Sequence, residues 1–401
     1  MNQVDTLQRA ARALLKRPLL RATEQESFRL VRSQLAELRR WFDANAGWRL
    51  HADADVIRLH KEPAVSDDAT RPARDPRNRN AFGRRRYVLF CLSLAALERA
   101  DAQIPLGRLA EQVLLLARGP AMADTGVEFT LTGRDQKTDL VAVVHLLLHW
   151  GVLARVAGDE EDYLRGTGDV LYDVSRRVLS QLLVARRGPS TITADALEER
   201  LAALGAVEAP DSGEATNRRI RHRLTRRLLD DPVVYFEELD DAEAEYLRRQ
   251  RPAIVRRIGE LTGLVAEVRA EGIAMVDPDD DLTDVRLPEP GTEGHLTLLL
   301  AEHLARPEAH EQRVEELQRL TVSLAERHRT FWRKGASEPG AEVALTDAAL
   351  ERLSALRLVE RHGNRVRSLP ALARFAVAEP MVETAASAPA AASLFEDHSG
   401  G

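Results

Sequence analysis

The stretch LLLHWGVLARVAG, Leu146–Gly158, runs from a helical apolar pattern straight into an alternating, strand-like one, and the change falls on Trp150-Gly151. Glycine adopts the positive φ that ends a helix and reverses the chain, so the residues after it enter a strand able to cover the helix just left. The same event occurs three more times. WFDANAGWRLHADADVIRLH (41–60), IGELTGLVAEVRAEGIAMV (258–276) and LSALRLVERHGNRVRSLP (353–370) each read helix, junction, strand, turn, strand. Gly47 and Gly263 stand at two of these junctions and Arg357 at the third. A helix followed by a β-hairpin, with two helices before it, is the winged-helix arrangement, and all three helices can be counted in 85–175 and 295–370. The expected fold is mainly α with short β-hairpins (α+β): tandem winged-helix domains plus extra helical segments.

The domain plan that follows has N-terminal helices and a β-hairpin at 1–61 and a linker or surface loop at 62–82. A first winged-helix domain covers 83–187, and a middle helix-hairpin region with an Arg-rich helix covers 188–291. A C-terminal winged-helix domain at 292–377 and a disordered tail at 378–401 complete it. Within these, helices are expected over 3–17, 85–99, 104–118, 135–150 and 240–262. Thr23 with Glu26 forms a capping-box pattern for a helix striped by Phe28, Val31, Leu35, Leu38 and Phe42. VVYFEEL reads as a strand and TDVRLP as a partner strand for the 264–276 hairpin. Val314, Leu317, Thr321, Leu324, His328 and Phe331 define one packed helical stripe, and Thr346 is placed to cap the helix after it. ASLFED (392–397) reads as inert tail before docking peptide.

The 401 residues are 44% hydrophobic, only 4% aromatic and 30% charged, with a formal net charge of −6. That balance excludes a uniformly basic nucleic-acid coat but leaves room for local patches. The single cysteine, Cys91 in YVLFCLSLAAL, is expected to be buried, as in a reducing compartment. The N-terminus lacks the apolar core of a signal peptide, and no apolar run reaches the roughly 18–20 residues of a membrane span. A soluble cytoplasmic chain is expected, without membrane contact.

Motifs for chemistry are weak. His145 and His149 have metal-ligand spacing, but three leucines separate them and no third ligand is evident, so they read as packing histidines. Asp277, Asp279 and Asp281 begin like a calcium loop, yet Leu282 and Pro288 stand where glycine and the bidentate glutamate belong; a solvated acidic turn is the better reading. No phosphate-binding glycine loop, nucleophile elbow or paired cysteines occur. No catalytic residue, metal or cofactor is assigned.

The third helices of the two counted winged helices, TDLVAVVHLLLHW and TDAALERLSALR, offer little to base edges and look built for packing or protein contact. Charge concentrates instead in NRRIRHRLTRRLL. Ile220, Leu224 and Leu228 form its apolar stripe, and Arg218, Arg219, Arg221, Arg223, Arg226 and Arg227 surround it. Two readings stay open: the arginines hold DNA phosphates, or the acidic FEELDDAEAE downstream neutralises them. Arg84, Arg85 and Arg86 form a weaker patch of the same kind.

The blocks KRPLLRATEQESFRLVR, VIRLHKEPAVSDDATRPARDP, FGRRRYVLFCLSLAALERADAQIPLGRLAE, HWGVLARVAGDEEDYLRGTGDVLYDVSRRVL and TEGHLTLLLAEHLA, in this order over most of 16–305, resemble the MukE-like subunit of Wadjet-type bacterial SMC systems. The resemblance implies a KITE protein, a tandem winged-helix element without catalytic residues of its own. Such a subunit forms a homodimer, binds a kleisin-like subunit and helps clamp double-stranded DNA against an SMC-like ATPase. A separate Toprim-containing nuclease cleaves captured plasmid DNA. The implied location is cytoplasmic, at the nucleoid or on plasmids. The extra N-terminal helix–hairpin and the 217–290 region exceed a two-unit KITE. The competing expectation is a winged-helix transcriptional regulator on an operator, and a third is an enzyme whose site is assembled from scattered residues.

Overall fold

A computed structural model describes residues 3–64, 68–119, 122, 129–182, 188, 191–194, 196–205 and 212–376. The chain divides into two compact units, Met1–Arg286 and Leu287–Gly401.

In the first unit, α1 (Gln3–Lys16) ends just before Pro18, whose missing N–H cannot extend the ladder. Then come β1 (Leu19–Arg21), α2 (Gln25–Ser33), α3 (Leu35–Ala46), β2 (Arg49–Ala52) and β3 (Val56–His60). β3 lies antiparallel between β1 and β2. The single helix expected across the Phe28–Phe42 stripe is two, broken at Gln34. Even so, the stripe buries Phe28, Val31, Leu38 and Phe42. Thr23 does not cap α2, which starts after Glu24 with no side-chain cap.

A second set follows: α4 (Arg84–Arg99), β4 (Gln103–Pro105), α5 (Leu106–Ala117), α6 (Arg134–Trp150), β5 (Leu153–Ala157), α7 (Glu160–Arg165), β6 (Leu171–Val174) and α8 (Arg176–Ser180). Its sheet order is β4-β6-β5. Two expectations change. Residues 103–105 pair with β6 instead of starting the helix, because Pro105 can sit in an edge strand. The polar turn of the wing contains α7, capped by the Asp159 carboxylate on the Glu161 amide.

The third set is α9 (Leu197–Gly205), α10 (Gly213–Asp230), β7 (Val234–Tyr235), a 3-10 turn at Phe236–Glu238, α11 (Asp241–Thr262), β8 (Val265–Val268) and β9 (Gly272–Val276). Asp240 and Glu243 form a reciprocal capping box that fixes the start of α11. The VVYFEEL strand shrinks to two residues. TDVRLP forms no strand, because the second edge of β9 is already taken by β7.

The second unit holds α12 (Thr292–Leu304), β10 (Glu311–Arg313), α13 (Val314–Arg327), α14 (Ala341–Ala355), β11 (Val359–His362) and β12 (Arg365–Ser368), in sheet order β10-β12-β11. α13 buries Val314, Leu317, Thr321 and Leu324, but it stops at Arg327, and Phe331 is 84% exposed. Thr346 lies inside α14, not at its cap. It is buried, with its hydroxyl 2.9 Å from that of Thr321.

Among the described residues all four sets share one order: helix, strand, a second helix (reduced to the 3-10 turn Phe236–Glu238 in the third set), helix, hairpin, with the first strand paired to the last. That is four winged helices, including the two regions expected only as helix and hairpin. The junction residues all have positive φ: Gly47 at 65°, Gly151 at 74°, Gly263 at 76° and, without glycine, Arg357 at 54°. The tail 378–401, with ASLFED, lies outside the described residues.

Cys91 is exposed on α4, contrary to expectation. Partial shielding still pushes its thiol above the ordinary value, which disfavours the reactive thiolate. The 62–82 loop is more than a linker. Asp75 is buried and accepts from His145 at 3.2 Å, while Arg77 reaches the buried Glu160 at 3.1 Å.

Candidate nucleic-acid interface

α10 forms where Ser212 accepts from the Ala215 amide and Ile220, Leu224 and Leu228 face inward. Its arginines then separate into distinct environments. Arg227 is 2% exposed and is held by Asp231, at 3.0 Å, and by Glu238. Arg223 pairs at 2.9 Å with Glu243, itself buried. The acidic segment after the helix therefore does neutralise these two. Arg221 donates to the Ala44 carbonyl at 3.2 Å, and Arg226 donates to the Ala46 carbonyl at 2.6 Å and to Glu62 at 2.8 Å. Arg218 and Arg219 are exposed and, among the described residues, have no hydrogen-bond or ion-pair partner. Of the six, these two are open to a phosphate.

The contacts of Arg221 and Arg226 reveal an arrangement that periodicity did not. The last carbonyls of a helix lack intrahelical partners and carry the negative end of its dipole. At α3 they are met by α10: His222 donates to Ala44 at 3.2 Å, and Arg226 donates to Ala46. At α11 they are met by α1: Gln8 donates to Glu260 at 3.2 Å, and Arg12 donates to Thr262 at 3.0 Å. Ala46 precedes Gly47 and Thr262 precedes Gly263. Gln8 and Arg12 are four apart on α1, as His222 and Arg226 are on α10. The outer contacts repeat too. Arg226 binds Glu62 beyond β3, and Arg12 binds Asp277 beyond β9 through two bonds of 2.9 and 2.8 Å. One turn further on, Asp230 meets Lys61 and Lys16 meets Asp281, with the signs exchanged.

The first and third winged helices are thus joined reciprocally, the first helix of each capping the third helix of the other. Leu261 of α11 sits in the core of the first. Burial holds His222 near pKa 4, although its bond to Ala44 opposes the shift and the neighbouring arginines add to it. The ring is therefore neutral at pH 7 and donates from Nε2.

Asp277 is not a solvated turn residue: its side chain is 3% exposed. Burial raises the carboxyl's pKa, but Arg12 and the amides of Leu282, Asp279 and Asp281 outweigh it and hold the group at about 2. The signal available in the sequence was the repeated four-residue spacing of hydrogen-bonding side chains on α1 and α10. It is legible only once the two helices are known to be equivalent.

The weaker patch is committed. Arg85 and Arg86 both bind Asp139, the latter at 2.7 Å, and Arg86 also stacks over Phe82; Arg84, exposed at the start of α4, is engaged as well. His145 packs against Asp75 and His149 is exposed, so the histidine pair does not converge on one point. Burial and Arg77 lower the His145 pKa. Nearby, Glu160 accepts from the Tyr172 hydroxyl at 2.8 Å and from Arg155. Among the described residues no three His, Cys, Asp or Glu side chains gather as a metal site. Nor is any helix among them long and apolar enough to cross a membrane.

Residues 11–378 match the family described as "Protein of unknown function (DUF2398)", and the chain belongs to it. The match begins within α1 and runs past β12, taking in three winged helices whole and the first from the second half of α1 onward. No curated protein and no solved structure matches.

Proposed function

We propose that this DUF2398 member is a non-catalytic, MukE-like (KITE) subunit of a Wadjet-type SMC complex. In this reading it binds a kleisin-like subunit and helps hold double-stranded DNA during loop extrusion by an SMC-like ATPase, in defence against plasmids. The observation that carries the reading is the fourfold use of the winged helix in one chain, two copies being locked together through their helix ends. A chain built this way presents several rigid protein-binding faces. α6 supports the same view: Leu140, Val141, Val143, Val144, Leu146 and Leu147 are all buried, leaving little of it to read bases. DNA contact is then non-specific, through Arg218 and Arg219. Cleavage belongs to a Toprim-containing nuclease of the same system, and the chain works as a homodimer in the cytoplasm, on nucleoid or plasmid DNA.

Affinity purification of the tagged full chain from its native cell tests this. Recovery of kleisin-like and SMC-like chains is the expected result. A folded chain that recovers neither overturns the proposal, and a sequence-selective footprint by the isolated chain favours a transcriptional regulator instead.

A further inference from the structure

We propose that a second site, the cleft between α3 and β2 of the first winged helix, binds phosphate groups of a nucleic-acid backbone. The cleft is an open depression of about 400 Å³, bordered by Arg39, Arg40, Arg49 and Asp43 over a floor of Trp48 and Leu50. Arg39 is oriented by donating Nε to the Leu50 carbonyl at 3.1 Å, which leaves its terminal nitrogens for a ligand. Arg40 and Arg49 are exposed and, among the described residues, have no hydrogen-bond or ion-pair partner. Three guanidinium groups face one carboxylate, so the cleft keeps a positive balance. Guanidinium forks match phosphate oxygens in both charge and geometry.

The third winged helix provides an internal control. Aligned on the junctions Gly47 and Gly263, it carries Val255, Arg256, Gly259, Leu264 and Val265 where the first carries Arg39, Arg40, Asp43, Trp48 and Arg49. Both reach the same sheet order and the same reciprocal capping. Leu264 is buried as Trp48 is, whereas Val265 is 57% exposed where Arg49 stands in the first. The fold therefore builds this surface without a guanidinium cluster, and the cluster in the first winged helix serves something other than packing. Nucleic acid is favoured over an acidic peptide by position. The third helix of a helix-turn-helix element is the part presented to a duplex, and here the arginines line that helix and the root of its wing.

Phosphate binding here requires no partner subunit, so the isolated full chain suffices for a test. Fluorescence anisotropy with a labelled duplex of arbitrary sequence is measured over about 50–200 mM salt. Arg40→Ala with Arg49→Val, the second reproducing the residue of the third winged helix, should weaken binding on the order of tenfold. It should also flatten the log–log salt dependence by about 2, the loss of two phosphate contacts. Arg40→Lys with Arg49→Lys should restore most of the salt dependence. Unchanged affinity and slope in the folded double variant overturn the proposal. So does a variant that loses co-purifying protein partners while its DNA affinity is intact, which would assign the cleft to an acidic protein segment. Neither result bears on whether the wild-type chain recovers kleisin-like and SMC-like partners.

Discussion

Replacing Asp277 with alanine removes the carboxylate that receives Arg12 from the opposite winged helix, and the cost follows from burial. The Arg12 side chain is 10% exposed and that of Asp277 3%. Breaking a buried ion pair from one side typically costs about 3–5 kcal/mol, because the remaining charge is desolvated and uncompensated. Asp281 and Asp279 lie 3.4 and 3.9 Å from the Arg12 guanidinium and replace part of the lost field, which favours the lower end, about 3 kcal/mol. The sign of the pH dependence is also fixed. The carboxyl is held at about 2 in the fold against an ordinary 3.8, so it is less protonated folded than unfolded. Its stabilisation, about 2 kcal/mol, is complete above pH 4 and is lost as pH falls toward 2. With Trp150 and Trp332 replaced by Phe, urea unfolding followed by fluorescence of Trp41 and Trp48 reads the first winged helix, since both pack in or against its core. The variant should show a lower midpoint at pH 7 and a shallower loss of stability between pH 4 and pH 2. Combining Arg12→Ala with Asp277→Ala should cost clearly less than the sum of the single changes. A loss under 1 kcal/mol at pH 7, or strict additivity, would refute the idea that this pair locks the two winged helices together.

Two further comparisons separate docking from local effects. Gly47→Ala meets both a positive φ and the His222 imidazole, whereas Gly166→Ala, at φ 74°, meets nothing within 4 Å. Thermal unfolding should show a loss of about 1–2 kcal/mol at Gly166 from the left-handed backbone alone and a larger one at Gly47; equal losses would remove α10 from contact with the α3 end. Within the arginine helix, Arg227→Ala strips a buried cation from Asp231 and Glu238 and should destabilise by about 3 kcal/mol or more, while exposed Arg219→Ala should stay within about 0.5 kcal/mol. Denaturant midpoints check both, and a silent Arg227 variant would contradict its structural role.

The four junctions were legible because they depend on local chemistry. A residue with positive φ ends the helix, and alternating apolar residues then cover it. Even Arg357 was placed correctly, since the hydrophobic pattern on either side leaves only one residue for the reversal. A short edge strand such as Leu19–Arg21 carries too few residues to show a period, and the strand seen in VVYFEEL could not be tied to its hairpin from sequence, so two winged helices looked incomplete. Cys91 was misplaced because an apolar neighbourhood in sequence does not say which face of α4 is covered. The arginine helix marks the boundary between the two kinds of knowledge. Composition announced six cations and an acidic segment nearby, and it could not divide them. Folding did so by bringing two helix ends, some 180 and 250 residues away in the chain, against α10 and α1. Exposed carbonyls at those ends need donors wherever the chain can supply them. Local sequence thus determined the helix, junction and hairpin four times over. Only tertiary structure decided which arginines hold the protein together and which remain free to meet a phosphate.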